Sequence, residues 1–197
     1  MSLIQKFSDS ILERTHEFVA IIAVLAVLGS LLEISGGMWD AVSHILREPE
    51  FFWTIQHVTV YSGVAMIASS GILGAIFLIK KKVLAILKRG IQLIIFGSII
   101  QISAGFADSL SHDLYGIDGL VSWSHQPLEL GLILSALGGF FIMVSMNSPK
   151  LKKLLPLSAL TLIFAISWLV FNLTLLFASP ILCTLVYEIF SSGCAVL

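Results

Sequence analysis

The chain has 197 residues, of which 57% are hydrophobic and 12% charged, and its mean hydropathy is +1.01. Soluble domains carry about 25% charged residues, so this composition indicates an integral membrane protein. The net charge is -1 and Lys and Arg form no cluster of the kind that binds nucleic acid, so we expect no nucleic-acid partner.

The chain begins with an amphipathic segment and a long apolar helix. Residues 1–16 alternate apolar and charged side chains at helical spacing, which predicts a short helix lying at the membrane surface. Residues 17–37 then supply about the 20 residues that a membrane span requires. After a turn at residues 47–50, a second span is expected from about residue 51 to the three lysines at 80–82.

The same apolar pattern predicts four further spans. They cover about residues 91–107, 121–146, 154–178 and 180–197, and the last is the shortest. The expected fold is therefore an all-α integral membrane protein with six transmembrane helices. Residues 17–148 form a four-helix unit, and residues 149–197 add two helices packed against it.

An internal repeat organises the four-helix unit. A set of one Asp and two His occurs twice with identical spacing, as Asp40, His44 and His57 and again as Asp108, His112 and His125. Equivalent residues of the two copies, such as Asp40 and Asp108, are always separated by the same number of residues. We call this separation the repeat offset. Four of the five histidines fall in register at this offset, and so do glycines at 29, 63 and 71 with glycines at 97, 131 and 139.

This pattern predicts duplication of a two-helix hairpin, with repeats at about residues 29–80 and 97–148. Each copy contains two spans, which is an even number, so both copies have the same orientation in the membrane. A pseudo-twofold axis along the membrane normal should therefore relate them.

The cations predict the orientation. Ten of the eleven Lys and Arg residues lie on the side of the N-terminus and of the loops after the second and fourth spans, and only Arg47 lies opposite. By the positive-inside rule that side is cytoplasmic. Six spans would also place the C-terminus there, with both Asp-His-His sets at the extracytoplasmic face of the cell membrane.

The two Asp-His-His sets are candidate metal ligands. Residues four apart share a helix face, so Asp and the first His of each set converge, and the hairpin returns the second His to their depth. A single interfacial His is more often a simple hydrogen-bonding residue, but a repeated set of ionisable groups in a membrane indicates function. Two imidazoles and a carboxylate suit zinc, iron or copper. The predicted ligands are Asp40, His44, His57, Asp108, His112 and His125.

Four more polar residues are predicted to support these ligands. Glu33 lies two turns before the first Asp on the same helix stripe, and the repeat places Gln101 at the equivalent position. Glu129 follows the last His by one turn, and Tyr61 is its equivalent. Glu33 is either a hydrogen-bond partner or proton relay of the site, or simply a polar residue facing the bundle interior.

The two sets should form one composite site. Lipid cannot satisfy polar side chains, so the polar stripes of both hairpins must point into the bundle and meet on the axis. Two metals could then share a substrate there, or one metal could take ligands from both copies.

The ligand spacing in both copies, the helix-turn-helix setting and the Tyr61-Ser62 pair after His57 resemble the C subunit of the copper membrane monooxygenases, which oxidise ammonia or methane. The resemblance covers about residues 29–146. It implies copper binding by both sets, within a larger redox complex. The chain has Asp108 where that family usually has Asn, and Val58 and Thr59 where it usually has tryptophans.

Two other functions stay open on the residues alone. A zinc hydrolase would use the same ligands to activate water, and a b-type haem electron carrier would use pairs of the histidines as axial ligands. Copper is the expected cofactor, with zinc or iron as alternatives, and no catalytic residue is identified. Expected partners are membrane lipid and either other membrane subunits or further copies of the chain.

Overall fold

The computed structural model describes residues 15–46, 53–115, 125–146 and 148–190, in which all regular secondary structure is α-helical. The helices are α1 (Thr15–Leu46), α2 (Ile55–Lys80), α3 (Ala85–Tyr115), α4 (His125–Ser145), α5 (Pro149–Lys152) and α6 (Leu155–Phe190). The predicted surface helix over residues 1–16 lies outside the described residues, except for its last two, which belong to α1. The predicted turn at 47–50 also lies outside them.

Five of these helices, α1 to α4 and α6, are long and apolar enough to cross a membrane. The prediction of an all-α membrane protein is thereby confirmed at the level of helix type, length and composition. The first four predicted spans correspond to α1 to α4, and the fifth corresponds to the first two thirds of α6.

The sixth predicted span is not a separate helix in the described part of the chain. α6 runs without a break from Leu155 to Phe190, through the proline at 180 where the break was expected. Proline removes one backbone donor, but transmembrane helices tolerate it where neighbouring groups satisfy the freed carbonyl. The 36 residues of α6 extend about 54 Å, well beyond the roughly 30 Å of a hydrocarbon layer. Residues 191–197 lie outside the described residues.

The first four spanning helices form a closed ring. Each packs on its neighbour in the chain, and α4 returns to contact α1. The most extensive contacts lie within the pairs α1/α2 and α3/α4, which are the two predicted hairpins. α6 packs outside the ring against α4 and α1, as expected for an element outside the repeat.

Glycine pairs hold each hairpin together. A Cβ atom on Gly63 would lie 2.6 Å from the carbonyl oxygen of Gly29, and one on Gly131 would lie 2.7 Å from the carbonyl oxygen of Gly97. Small residues allow membrane helices to approach this closely. The repeat offset relates Gly29 to Gly97 and likewise Gly63 to Gly131, so both hairpins close on equivalent contacts.

Contacts between the hairpins also recur at the same offset. Gly71 of α2 packs on Ile95 of α3, and Gly139 of α4 packs on Val27 of α1. The repeat offset relates each residue of the second contact to one residue of the first. The contact of α2 with α3 is therefore equivalent to the contact of α4 with α1, as expected if a twofold axis relates the two hairpins.

The interior of the bundle changes from apolar to polar along its length. Ile22, Phe77 and Ile142 belong to a fully buried cluster near the start of α1. Towards the other end the buried side chains include charged and amide groups, among them Glu33 and Gln101. Polar groups buried in a membrane protein need partners or ligands, so that end holds the candidate site.

The glycine contacts give a direct test of the packing. Gly63→Ala places a methyl group against the rigid backbone of Gly29 and should lower the free energy of unfolding by about 1–3 kcal/mol, the usual cost of overpacking. Gly37→Ala is the matched control, because its Cβ would meet only the Trp168 ring at 3.7 Å. Denaturation in mixed detergent micelles measures both variants. Equal stability of the two would contradict the close helix approach.

Candidate functional site

The first turn of α2 places His57 beside the C-terminal end of α1. Thr54 caps this helix, and its Oγ1 accepts a hydrogen bond from the His57 N–H at 3.5 Å. Gln56 Nε2 donates to Ser43 Oγ at 2.5 Å, which ties the start of α2 to α1. In this setting His57 Nε2 lies 3.2 Å from Asp40 Oδ1.

The second hairpin contains the equivalent pair. His125 is the first residue of α4, and its Nε2 lies 3.2 Å from Asp108 Oδ1. The same atoms therefore meet at the same distance as in Asp40 and His57. The four side chains are 7% to 18% exposed, so both contacts are formed largely away from solvent.

Both pairs line a single cavity of about 60 Å³. One water occupies roughly 10–15 Å³ of such a volume, so the cavity has room for about four waters or for a metal ion with a few waters. The two hairpins thus direct their Asp and second His towards a shared space. The lining residues are Glu33, Ile34, Gly37, Asp40, His57, Val60, Tyr61, Asp108, His125, Leu128, Glu129, Leu132, Trp168 and Asn172.

Tyr61 connects the hairpins at the level of these pairs. Its hydroxyl donates to Asp108 Oδ2 at 2.9 Å, while the other oxygen of Asp108 lies beside His125. Tyr61, predicted to support the ligands of its own hairpin, therefore contacts the carboxylate of the other one. The resulting chain Tyr61–Asp108–His125 orients both oxygens of Asp108.

Glu33 and Gln101, which the repeat makes equivalent, are hydrogen-bonded to each other. Gln101 Nε2 donates to Glu33 Oε2 at 3.1 Å, with Oε1 at 3.4 Å. Both side chains are buried, at 3% and 0% exposure. Glu33 lies about 10 Å below Asp40 along α1 at the helix rise per residue. Their hydrogen bond joins the two hairpins beneath the Asp–His pairs.

Glu129 and Trp168 lie on one side of the cavity, and Tyr61 lies on the other side. The Trp168 side chain hydrogen-bonds Glu129 and lies over Gly37, just as the Tyr61 ring lies over Gly105. The repeat offset also relates these two glycines. Glu129 of the second copy, together with Trp168 from α6, thus takes the place that Tyr61 has in the first copy.

Sequence reasoning missed the contribution of α6. Trp168 and Asn172 both line the cavity, and Asn172 Nδ2 donates to the Trp168 carbonyl oxygen at 3.1 Å. Asn172 is the one amide side chain in the span Leu155–Ala178 and is buried. A polar residue inside a membrane helix marks function by default, and this signal would have identified Asn172.

For the remaining two predicted ligands the structure describes only the backbone. His44 and His112 belong to α1 and α3, and their side chains lie outside the described part of the structure. Among the described residues, no group of three or more His, Cys, Asp and Glu side chains is arranged to hold a metal ion. Metal binding by the six residues therefore stays a prediction.

Comparisons of the chain with protein-family models, with curated proteins and with solved structures found no match. Four of the side chains that line the cavity are carboxylates, two are imidazoles and one is a tyrosine.

Proposed function

We propose that the chain is a membrane-embedded metal-binding protein that holds copper in the cavity between its two helix hairpins. One observation carries the proposal: two Asp–His pairs, related by the repeat offset, have the same Nε2–Oδ1 distance and line one cavity. The proposed ligands are Asp40, His44, His57, Asp108, His112 and His125.

We further infer that the four-helix unit is a duplicated hairpin. Three kinds of contact support the duplication at one offset: the glycine pairs inside each hairpin, the glycine contacts between hairpins and the Asp–His pairs. The bond between Glu33 and Gln101 adds a fourth, because equivalent residues meet only near a twofold axis. A composite site on that axis follows from the same symmetry.

The geometry of each pair suits a shared metal ion. Two ligand atoms about 2.0–2.1 Å from one ion, at tetrahedral or octahedral angles, lie about 2.9–3.4 Å apart. The observed 3.2 Å falls in this range and also suits a weak imidazole–carboxylate hydrogen bond. In the metal-free protein that hydrogen bond would hold the ligands in place, and metal binding would release the shared proton.

Copper is the preferred ion for two reasons. Imidazole and carboxylate sites bind Cu²⁺ more tightly than the other common divalent ions of the first transition row, and the resemblance to the monooxygenase C subunit implies copper. Bound copper would supply redox chemistry. The chain itself would hold the ion, orient Asp108 through Tyr61 and limit the water around it. We propose that it works within a larger membrane complex.

A zinc hydrolase is the second candidate, and Glu129 favours it. This carboxylate lines the cavity one turn after His125, and its Oε2 has no hydrogen-bond partner among the described residues. Such an oxygen is suited to act as general base towards a metal-bound water. The haem alternative has less support, because the Nε2 atoms of His57 and His125 both face carboxylates.

The proposed location is the cell membrane, with the cavity towards its extracytoplasmic side. The basic residues Lys80, Lys81 and Lys82 lie at the end of α2 opposite His57, which matches a cytoplasmic assignment for that end. Exposed apolar side chains such as Phe96 and Phe106 on α3 suit contact with lipid or with neighbouring subunits.

Metal analysis of the purified protein tests the proposal. The protein would be extracted in detergent, loaded with an equimolar mixture of Cu²⁺ and Zn²⁺, and freed of loosely bound ions by gel filtration. We expect at least one copper per chain and no Soret absorption. Zinc in place of copper would favour the hydrolase, and protein that retained neither ion would contradict the metal site.

A further inference from the structure

The cavity has more carboxyl groups than one metal ion would balance. Asp40, Asp108, Glu33 and Glu129 all line it, and none of its described lining residues is Lys or Arg. A divalent ion at the Asp–His pairs would compensate Asp40 and Asp108. Glu33 and Glu129, at 3% and 5% exposure, would still lack a positive partner. Uncompensated buried carboxylates are costly in a membrane protein.

Two buried oxygens beside these carboxylates have no donor. They are Oε2 of Glu129 and Oε1 of Gln101, and neither has a hydrogen-bond partner among the described residues. Gln101 is fully buried and uses its amide NH₂ on Glu33, so its carbonyl oxygen is the free end. A buried acceptor without a donor costs about 1–3 kcal/mol. A cation would satisfy both oxygens at once.

The unpartnered oxygens belong to the same local cluster as Glu33. Gln101 is hydrogen-bonded to Glu33, and Glu33 and Glu129 both line the cavity. Gly131 lies against the Gln101 side chain and Gly63 against that of Glu33. The glycines let Glu33 and Gln101 lie close to the neighbouring helix of their own hairpins, and the hydrogen bond between the two side chains places both where the hairpins meet.

We propose that Glu33, Glu129 and the carbonyl oxygen of Gln101 form a second cation site, separate from the Asp–His pairs. Oxygen-only ligand sets select hard cations such as Na⁺ or Ca²⁺, whereas imidazole nitrogen selects copper or zinc. The site lies deeper in the bundle, about 10 Å below Asp40 along α1. It goes beyond the proposed function, since none of its three ligands is among the six residues proposed to bind copper.

Equilibrium binding of radiolabelled Ca²⁺ and, separately, Na⁺ tests the second site on the purified full chain after removal of metals by a chelator. We expect saturable binding of about one ion per chain for one of the two cations. Glu33→Gln and Glu129→Gln should each weaken that binding at least about 10-fold, because each removes a charged ligand. Glu17→Gln is the matched control, because Glu17 is an exposed carboxylate on the same helix.

The outcomes separate the second site from the copper site. His57→Ala combined with His125→Ala should remove copper and leave Ca²⁺ or Na⁺ binding intact, and loss of both would overturn a separate site. Saturable binding of Ca²⁺ alone or of Na⁺ alone identifies the ion. No binding of either ion would also overturn it and would mean that protons neutralise the two carboxylates. If Glu33→Gln does not fold, Glu129→Asp, which keeps the charge on a shorter side chain, supplies the same comparison.

Discussion

Replacing His57 and His125 together with alanine should lower copper affinity by more than about 100-fold, and each single replacement should lower it by about 10- to 100-fold, the effect typical of lost groups around a metal. In each Asp–His pair the histidine contributes the Nε2 atom that contacts the aspartate Oδ1. Since both pairs line one cavity, either loss should affect the same bound ion or ion pair. Titration against a competing chelator of known affinity measures the effect.

His16→Ala is the control for this loss. His16 is exposed near the start of α1, about 36 Å from Asp40 at the helix rise per residue, and its removal should leave copper affinity unchanged. His44→Ala and His112→Ala should behave like the single replacements if the predicted ligand sets are complete. Full copper occupancy in the His57 and His125 double variant would contradict copper binding in the cavity.

Asp108→Ala should lower the free energy of unfolding of the metal-free protein by about 2 kcal/mol, because it removes the acceptor that two side-chain groups share, and a typical hydrogen bond contributes about 1 kcal/mol. Those groups are the Tyr61 hydroxyl, 2.9 Å from Oδ2, and the His125 imidazole, 3.2 Å from Oδ1. The Asp108 side chain is itself only 7% exposed, so water cannot easily replace it. Unfolding by a denaturing detergent in mixed micelles provides the measurement.

Tyr61→Phe is the matched variant for Asp108. It removes the single hydroxyl donor and leaves the contact between Asp108 and His125 in place, so the expected loss is about 1 kcal/mol. A stability for Asp108→Ala equal to or above that of Tyr61→Phe would show that the Tyr61–Asp108–His125 chain does not stabilise the fold.

The helices could be predicted well because the length of an apolar segment determines whether it can span a membrane. Each of the five spanning helices matches a predicted span, although α2 begins at Ile55, later than expected. Thr54 explains the start of α2, since its side chain caps the helix. The sixth span was wrong as a separate helix because proline in an apolar segment marks either a turn or a tolerated kink, and the sequence at Pro180 does not distinguish them.

The repeat offset predicted more of the site than any single motif. It made Glu33 and Gln101 equivalent, and equivalent residues on inward stripes are expected to meet if a twofold axis relates the hairpins; the two side chains are hydrogen-bonded to each other. The contact of Tyr61 with Asp108 could not be predicted, because it depends on how the two hairpins rotate against each other. Trp168 lies outside the repeat, so no internal symmetry pointed to it.

X-ray absorption spectroscopy of the copper-loaded protein tests the central claim most directly. If both hairpins bind the metal in one cavity, the spectrum should contain imidazole scattering from nitrogen ligands at about 2.0 Å. This scattering should decrease in His57→Ala and also in His125→Ala, and the spectrum of His16→Ala should match that of the unchanged protein. Copper without imidazole scattering, or scattering that neither replacement alters, would contradict a metal site built from the two Asp–His pairs.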